Sequence, residues 1–277
     1  MATDYAAILQ TIKERRPRIL VVGDACTDHF LFGEIRENPE GDWSCVRVTK
    51  CEQQHGMMLA VCDMLEKLGC KTEYCCGYQS EKHRVIAGEK IVARYDIDTP
   101  YQQPIEVLDE IYFRNLLDGI LVSDYGKGTV SQKTCGFLVG KAKELGIPLL
   151  VDPARGASWS KYDGATLIKA NSIEYKESGE WWNRWTGQLV VTEGKAGMTI
   201  AAPSHANRFV PQLRPIDNPL CVAGAGDSIF AVLGACLACG IDLLDACRLA
   251  NVAASLVVQR WGAVAVTPEE ILEAVNG

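Results

Sequence analysis

The sequence predicts an α/β protein: a mainly parallel sheet with a smaller β appendage beside it. Three observations carry this. Apolar runs such as Arg18–Val22, Gly119–Ser123 and Pro148–Val151 lack the polar alternation of a half-wet strand. Helical stretches, with apolar residues three and four apart, fall between them. Alternation of the two kinds at this spacing favours right-handed crossovers within one sheet.

Each element follows in order. Tyr5, Ile8, Leu9 and Ile12 share one side of a short amphipathic helix over 4–16. Arg18–Val22 reads as a buried first strand ending at Gly23. Asp24 and Asp28 sit at or just beyond its carboxyl end, where open α/β sheets bind ligands. Phe30–Phe32, Cys45–Val48 and Arg84–Tyr95 alternate with period two and predict small antiparallel strands beside the main sheet. Met57–Leu68 reads as a helix stopped by Gly69, and Tyr101–Pro104 as a connection. A helix over 105–116, strand Gly119–Ser123 and a helix over 131–145 closed by Gly146 follow. Strands Pro148–Val151, Thr166–Lys169, Leu189–Thr192 and Gly197–Ile200 come next. Ala223–Asp227 opens a very apolar helix that Gly240 stops, and Leu243–Gln259 forms another. The appendage is expected at about 30–50 and 80–98, as excursions of a single domain spanning 1–277.

Composition narrows the function classes. With 48% apolar and 23% charged residues in 277, the chain is globular and long enough to need no disulfide or metal staple. A net charge of −7 and the absence of a basic run argue against nucleic acid as main partner, while leaving room for a local phosphate pocket. No 18-residue apolar run and no secretory leader are visible, which predicts a soluble, cytoplasmic protein without a membrane partner. The twelve scattered cysteines are then expected to be reduced and mostly buried, and the Cys236/Cys239 spacing to serve helix packing.

The sharpest chemical signal is Ala223-Gly-Ala-Gly-Asp227 at a helix start. Unpaired amides and the positive helix end there attract an anion such as a transferring phosphoryl group. Asp227 beside it suits a base that takes the proton of an attacking hydroxyl; a helix cap is the plainer reading. Asn171 and Glu174, just past a strand, suit one cleft and equally a capping box. Asp124 reads as a substrate-side carboxylate or a turn residue, Lys195 as a phosphate contact or a solvated turn lysine, and Asp152 as structural. The P-loop, the dinucleotide G-x-G-x-x-G after the first strand and the G-x-S-x-G elbow are all missing.

Together these segments resemble the ribokinase-like (PfkB-type) carbohydrate kinases, most closely the heptose-phosphate kinase branch of ADP-heptose synthesis. The resemblance rests on Gly23–Asp28 with Phe30–Gly33, Leu121–Gly128, Leu150–Pro153, Asn171–Glu174, Val191–Gly194 and Ala223–Asp227, in that order. It implies a three-layer α/β/α sandwich with a mostly parallel sheet and a small β lid. By the same resemblance, Asp227 is the catalytic base and Gly224, Ala225 and Gly226 the anion hole. Asn171 and Glu174 organise Mg²⁺ and its waters, Glu174 through water. ATP lies along Thr192, Gly194, Lys195 and Gly197, with Asn251 near the adenine. Asp24, Asp28 and Gly56 face the sugar, with Asp124 on the substrate side, and Arg84 and Lys127 meet a substrate phosphate. Exposed edge strands in such a lid make a homodimer through it an expectation.

Three departures stand against the pattern. The family's Gly-Gly with an Asn three positions on is here His55-Gly-Met-Met-Leu-Ala60, so Met57 and Ala60 replace a glycine and a polar sugar ligand. Cys221-Val-Ala223 replaces a carboxylate and a hydroxyl ahead of Gly224. Only Tyr78–His83 separates the strand near Tyr74–Gly77 from the strand near Arg84, where the family carries a helix and a further strand. The sequence therefore supports an ATP- and Mg²⁺-dependent kinase for a sugar or sugar phosphate. Its rivals are a catalytically weak relative serving as a regulatory or assembly subunit and, more remotely, an unrelated α/β enzyme.

Overall fold

The computed structural model describes residues 3–38, 40–41, 45–99, 113, 116–179, 181, 185–202 and 205–276. The elements run α1 (Tyr5–Arg15), β1 (Arg18–Arg36), β2 (Cys45–Met57), α2 (Met58–Lys67), β3 (Lys71–Ala87), β4 (Lys90–Thr99), β5 (Gly119–Ser123) and α3 (Gln132–Leu145). Then come β6 (Leu149–Asp152), β7 (Leu167–Asn171), α4 (Ser172–Glu177), β8 (Gln188–Thr192), β9 (Gly197–Ala202), β10 (His205–Pro211), α5 (Ala225–Ala238), α6 (Leu243–Val257) and α7 (Pro268–Asn276). Local chemistry sets several boundaries. The Asp4, Ser131 and Asp242 side chains accept backbone N–H bonds at the starts of α1, α3 and α6, and Gly146 closes α3 at φ 66°. The helix expected over 105–116 and the Tyr101–Pro104 connection fall almost entirely outside the described residues.

Among the described residues the strands form one sheet in the order β10-β9-β8-β7-β6-β5-β1-β3-β4, with β2 attached to β1. β3, β1, β5, β6, β7 and β8 pair in parallel. β9 and β10 close one edge antiparallel, so the run Gly197–Ile200 departs from the parallel rhythm. The central strands bury both faces. Ile19, Val21, Leu121, Leu150, Leu167 and Val190 pack with α1, α2, α5, α6 and α7. Leu20, Val22, Ile120, Val122, Val151 and Ile168 pack on the opposite side with α3, Trp159 and Tyr162. That alternation, with helices on both faces, is the three-layer sandwich. Neither β10 nor α7 is among the elements expected from the sequence, although Thr267-Pro-Glu-Glu270 marks the start of α7: Thr267 and Glu270 exchange the two hydrogen bonds of a capping box, with proline at the first helical position.

The β appendage differs from the sequence expectation. β1 is a single strand of 19 residues and β3 one of 17. Their outer halves leave the core and carry β2 and β4 as antiparallel neighbours, but pair with each other in parallel. The cause is chain length. A parallel return needs a crossover of a dozen or more residues, and the six from Tyr78 to His83 cannot supply one, so β3 runs straight through. Arg84–Tyr95 is likewise two strands, broken at Gly88 with φ 62°. The result is an outer sheet in the order β2-β1-β3-β4, beyond the carboxyl ends of the central strands. No helix among the described residues is long and apolar enough to cross a membrane. The cysteines are all free thiols, and eight of the twelve are buried.

Candidate active site at the carboxyl ends of the central strands

Gly224 begins α5 at φ 81°, in the left-handed region. A Cβ there would stand 2.4 Å from Ala263 Cα, so the position suits glycine on two counts. Beyond it, the amides of Gly226 and Asp227 meet no acceptor outside the helix among the described residues. Asp227 occupies the first turn and is buried, yet it does not cap the helix. Its carboxylate instead accepts a 2.7 Å hydrogen bond from the Tyr125 hydroxyl. Burial pushes the Asp227 carboxyl up to about 6, against the pull of that hydroxyl and of Lys169 and Lys82.

Three charged groups act on this carboxylate, Asp152, Lys169 and Lys82, and the sequence assigns none of them to the site. Lys169, the middle residue of β7, is buried and bonds Asp152 Oδ2 at 2.7 Å. A Cβ on Gly226 would lie 3.1 Å from Lys169 Nζ, so the ammonium stands at the α5 start. Burial opposes its charge, but Asp152, Glu174 and Asp227 hold its pKa above the ordinary lysine value. Lys82 of β3 extends over the Tyr125 ring, 5.3 Å from its centroid, and brings the outer sheet to the same place. Asp152 belongs to this cluster and is more than a strand end. A lysine inside a largely apolar strand was the one available signal for Lys169; nothing local marks Lys82.

Asn171 and Glu174 form the capping box. Asn171 Oδ1 accepts from the amides of Ile173 and Glu174, and Glu174 Oε2 accepts from the amide of Asn171. Burial and then Asp152 push the Glu174 carboxyl above its ordinary range. Asp152 thus raises the cost of ionising both Glu174 and Asp227, and the Lys169 ammonium lowers it for both. Carboxylate oxygens are the donors a hard divalent cation such as Mg²⁺ takes, although these three do not converge within 4.8 Å as a ready-made ligand set.

Behind the α5 start lies a cavity of about 390 Å³. Thr192, Gly194, Lys195, Gly197 and Asn251 all line it, together with Ala225 and Gly226. The five residues assigned from resemblance to the nucleotide therefore share one space with the anion-hole candidates. Asn251 Nδ2 is already engaged by the carbonyls of Val210 and Pro211, and Lys195 pairs with Asp217 at 3.0 Å in an exposed position.

The sugar-side candidates are brought together but are largely engaged by protein groups. Asp24 is fully buried and accepts from the amides of Tyr125, Lys127 and Thr129, which folds the 124–129 loop around it. Asp124 accepts from the Gly126 amide and the Tyr162 hydroxyl and pairs with Lys161, as a turn residue would. Asp28 and Arg84 form a buried ion pair at 2.7 Å, with the guanidinium also over Phe30. Gly56 faces that pair; a Cβ there would meet Asp28 Oδ2 at 2.7 Å. Lys127 ties to Asp98 of β4. Met57 adopts φ 56° and ψ −135°, a conformation that glycine takes readily and a side-chain-bearing residue rarely does. Met57 thus holds a glycine-like backbone at the position where the resemblance expects glycine.

The comparisons with known proteins agree with this geometry. A pfkB family carbohydrate kinase model matches residues 165–270, which hold α4, the cavity and α5. The chain is 30% identical over 308 residues to the bifunctional protein HldE of Campylobacter jejuni, covering 95% of this chain and 66% of that protein. The HldE of Magnetococcus marinus is 29% identical, covering 93% and 63%. The chain thus spans just under two thirds of the length of these relatives. Among solved structures, a putative ribokinase from Agrobacterium tumefaciens superposes with a TM-score of 0.73 at 18% identity, covering 94% of this chain and 97% of that one. Arabidopsis thaliana ribokinase, complexed with ribose and ATP, gives 0.71 at 12% identity, covering 94% and 99%. The fold is that of the ribokinases; residues 165–270 are similar to the pfkB family carbohydrate kinases, and the chain is similar to the HldE proteins at moderate identity.

Proposed function

We propose that this protein transfers the terminal phosphoryl group of ATP, with Mg²⁺, to a hydroxyl of a sugar or sugar phosphate of heptose-phosphate type. One observation carries the reading. Asp227 is buried, is held beside the free amides of the α5 start, and stands between the 390 Å³ cavity and the outer sheet. A carboxylate beside an anion-attracting helix end has a use if it takes a proton from the acceptor hydroxyl as that oxygen attacks. The Gly226 and Asp227 amides and Lys169 stabilise charge on the transferring group. Thr192, Gly194 and Gly197 hold the nucleotide, and Asn171 fixes Glu174 for the cation. Bound Mg²⁺ would supply charge neutralisation between phosphates, with Glu174, Asp152 and Asp227 as its oxygen-rich surroundings. The outer sheet serves as lid, with Lys82, Arg84 and Lys127 offering cations to an anionic sugar. The 1–277 chain acts as one unit.

A second reading is favoured by a specific observation. Asp24, Asp28, Arg84 and Lys127 each have protein partners, and Met57 and Ala60 stand where the resemblance expects glycine and asparagine. A nucleotide- or sugar-phosphate-binding relative with little turnover would look this way. ATP turnover against a panel of sugars and sugar phosphates separates the two. The kinase reading expects a sugar-stimulated rate that falls about 10²–10⁴-fold in Asp227→Asn. Nucleotide binding with no stimulated rate supports the second reading, and a rate indifferent to the substitution removes Asp227 from the chemistry.

A further inference from the structure

We propose that His29, Glu81 and His83 form a binding site for a borderline divalent transition metal, zinc in kind, on the face of the outer sheet turned away from Asp28 and Arg84. The register builds it. His29 of β1 is directly opposite His83 of the parallel β3, and Glu81 precedes His83 by two residues, so all three side chains share one face. Asp28, Lys82 and Arg84 occupy the intervening positions and point to the other face, toward the cleft. The metal site is therefore separate from the phosphotransfer site, and neither reading depends on the other.

The distances suit ligation. Glu81 Oε2 lies 3.5 Å from His29 Nε2 and 3.1 Å from His83 Nε2, and one ligand atom from each residue falls within 4.8 Å of the others. Ligands about 2.0–2.2 Å from a tetrahedral zinc stand roughly 3.3–3.5 Å apart. His29 Nε2 is buried and has no hydrogen-bond partner, a cost that a metal bond would remove. Its other ring nitrogen lies 3.4 Å from the Gln53 amide. With the amide turned, Gln53 accepts the Nδ1 proton and leaves Nε2 as the free lone pair, the usual support for a ligating histidine. The imidazoles are stacked at 4.2 Å and 7°, with Tyr95 stacked 4.5 Å beyond His83. Ligation tilts the two imidazoles so that their lone pairs converge, while the paired strands keep their backbones in place.

Two imidazoles and one carboxylate select zinc, cobalt or nickel over magnesium or calcium, which prefer all-oxygen shells. Glu81 is half exposed, so a fourth position opens to solvent. Bound metal would cross-link β1 to β3 where both strands have left the core.

The test uses the full chain stripped by chelator, with Co²⁺ as optical probe and Zn²⁺ as competitor. One Co²⁺ per chain should bind with the visible absorption of a tetrahedral centre, and Zn²⁺ but not Mg²⁺ should displace it. The near-ultraviolet thiolate band that ligation by the exposed Cys45, Cys51 or Cys76 would give should be missing. His29→Gln and His83→Gln should abolish the signal, Glu81→Gln should weaken binding tenfold or more, and His55→Gln, whose ring pairs with Asp63, should leave it intact. Zn²⁺ should raise the Tm of the wild type and of His55→Gln but not of His83→Gln. Because Glu81 is partly exposed, Glu81→Gln should fold even if a histidine variant does not. No saturable binding, binding only with the thiolate band, or full affinity in Glu81→Gln would each overturn the proposal.

Discussion

Asp227 is placed so that burial and a neighbouring hydroxyl set its titration in opposite directions. Burial lifts its pKa to about 6 and the Tyr125 hydroxyl holds it down. If its ionised form is the base, activity rises with pH on a limb centred near 6. Tyr125→Phe removes the donor that favours the ionised form, so the limb should move to higher pH by roughly one unit. A pH profile of kcat/KM in the two proteins reads this directly. The same shift acts on folding. The folded carboxyl binds its proton more tightly than the unfolded one, so its ionisation costs stability as pH rises from about 4 through about 6. Asp227→Asn should remove that decline from a series of denaturant midpoints, even while it removes turnover.

The α5 start shows how one element serves two ends. Gly224 turns the chain into the helix at φ 81° against Ala263, and the same turn leaves the next amides facing the cavity. Gly224→Ala should therefore cost about 1–3 kcal/mol in denaturant unfolding, because the new Cβ meets a backbone atom at an already unfavourable φ. ATP affinity should fall in parallel, since relief of the clash moves the amide end. α4 is the companion case. Its capping box uses Asn171 and Glu174 fully on one side, yet Glu174 keeps a second carboxylate oxygen for the cleft. On the proposed function, capping and cation binding share these residues without competing.

Across the whole molecule, the two long strands β1 and β3 make the outer sheet a continuation of the core. The Asp28–Arg84 pair sits where they leave it, with side chains 5% and 8% exposed. Arg84→Met would strand a buried carboxylate and should cost about 3–5 kcal/mol. The double variant Asp28→Leu with Arg84→Met should recover much of that loss, since an apolar pair replaces a desolvated ionic one. Equilibrium unfolding of the three variants gives the coupling. Failure of the double variant to recover stability would mean that Arg84 acts through its packing on Phe30 and not through charge.

The sequence by itself determined the central strands and α5, and singled out the Gly224–Asp227 segment of the candidate site. Apolar runs and a Gly-Ala-Gly-Asp helix start are local features, and local features survive in a linear reading. Only the tertiary structure decided the company these residues keep. Asp24, Asp124 and Arg84 stand in the sequence as candidate ligands, with a turn role also open for Asp124, and folding gives them amides, a hydroxyl and a carboxylate as partners from segments up to 105 residues away. Lys82 reaches Tyr125, and His29 meets His83, because a six-residue gap forced β3 to run on without a crossover. Pairing across strands is set by register in space, and a single chain read in order carries no record of it.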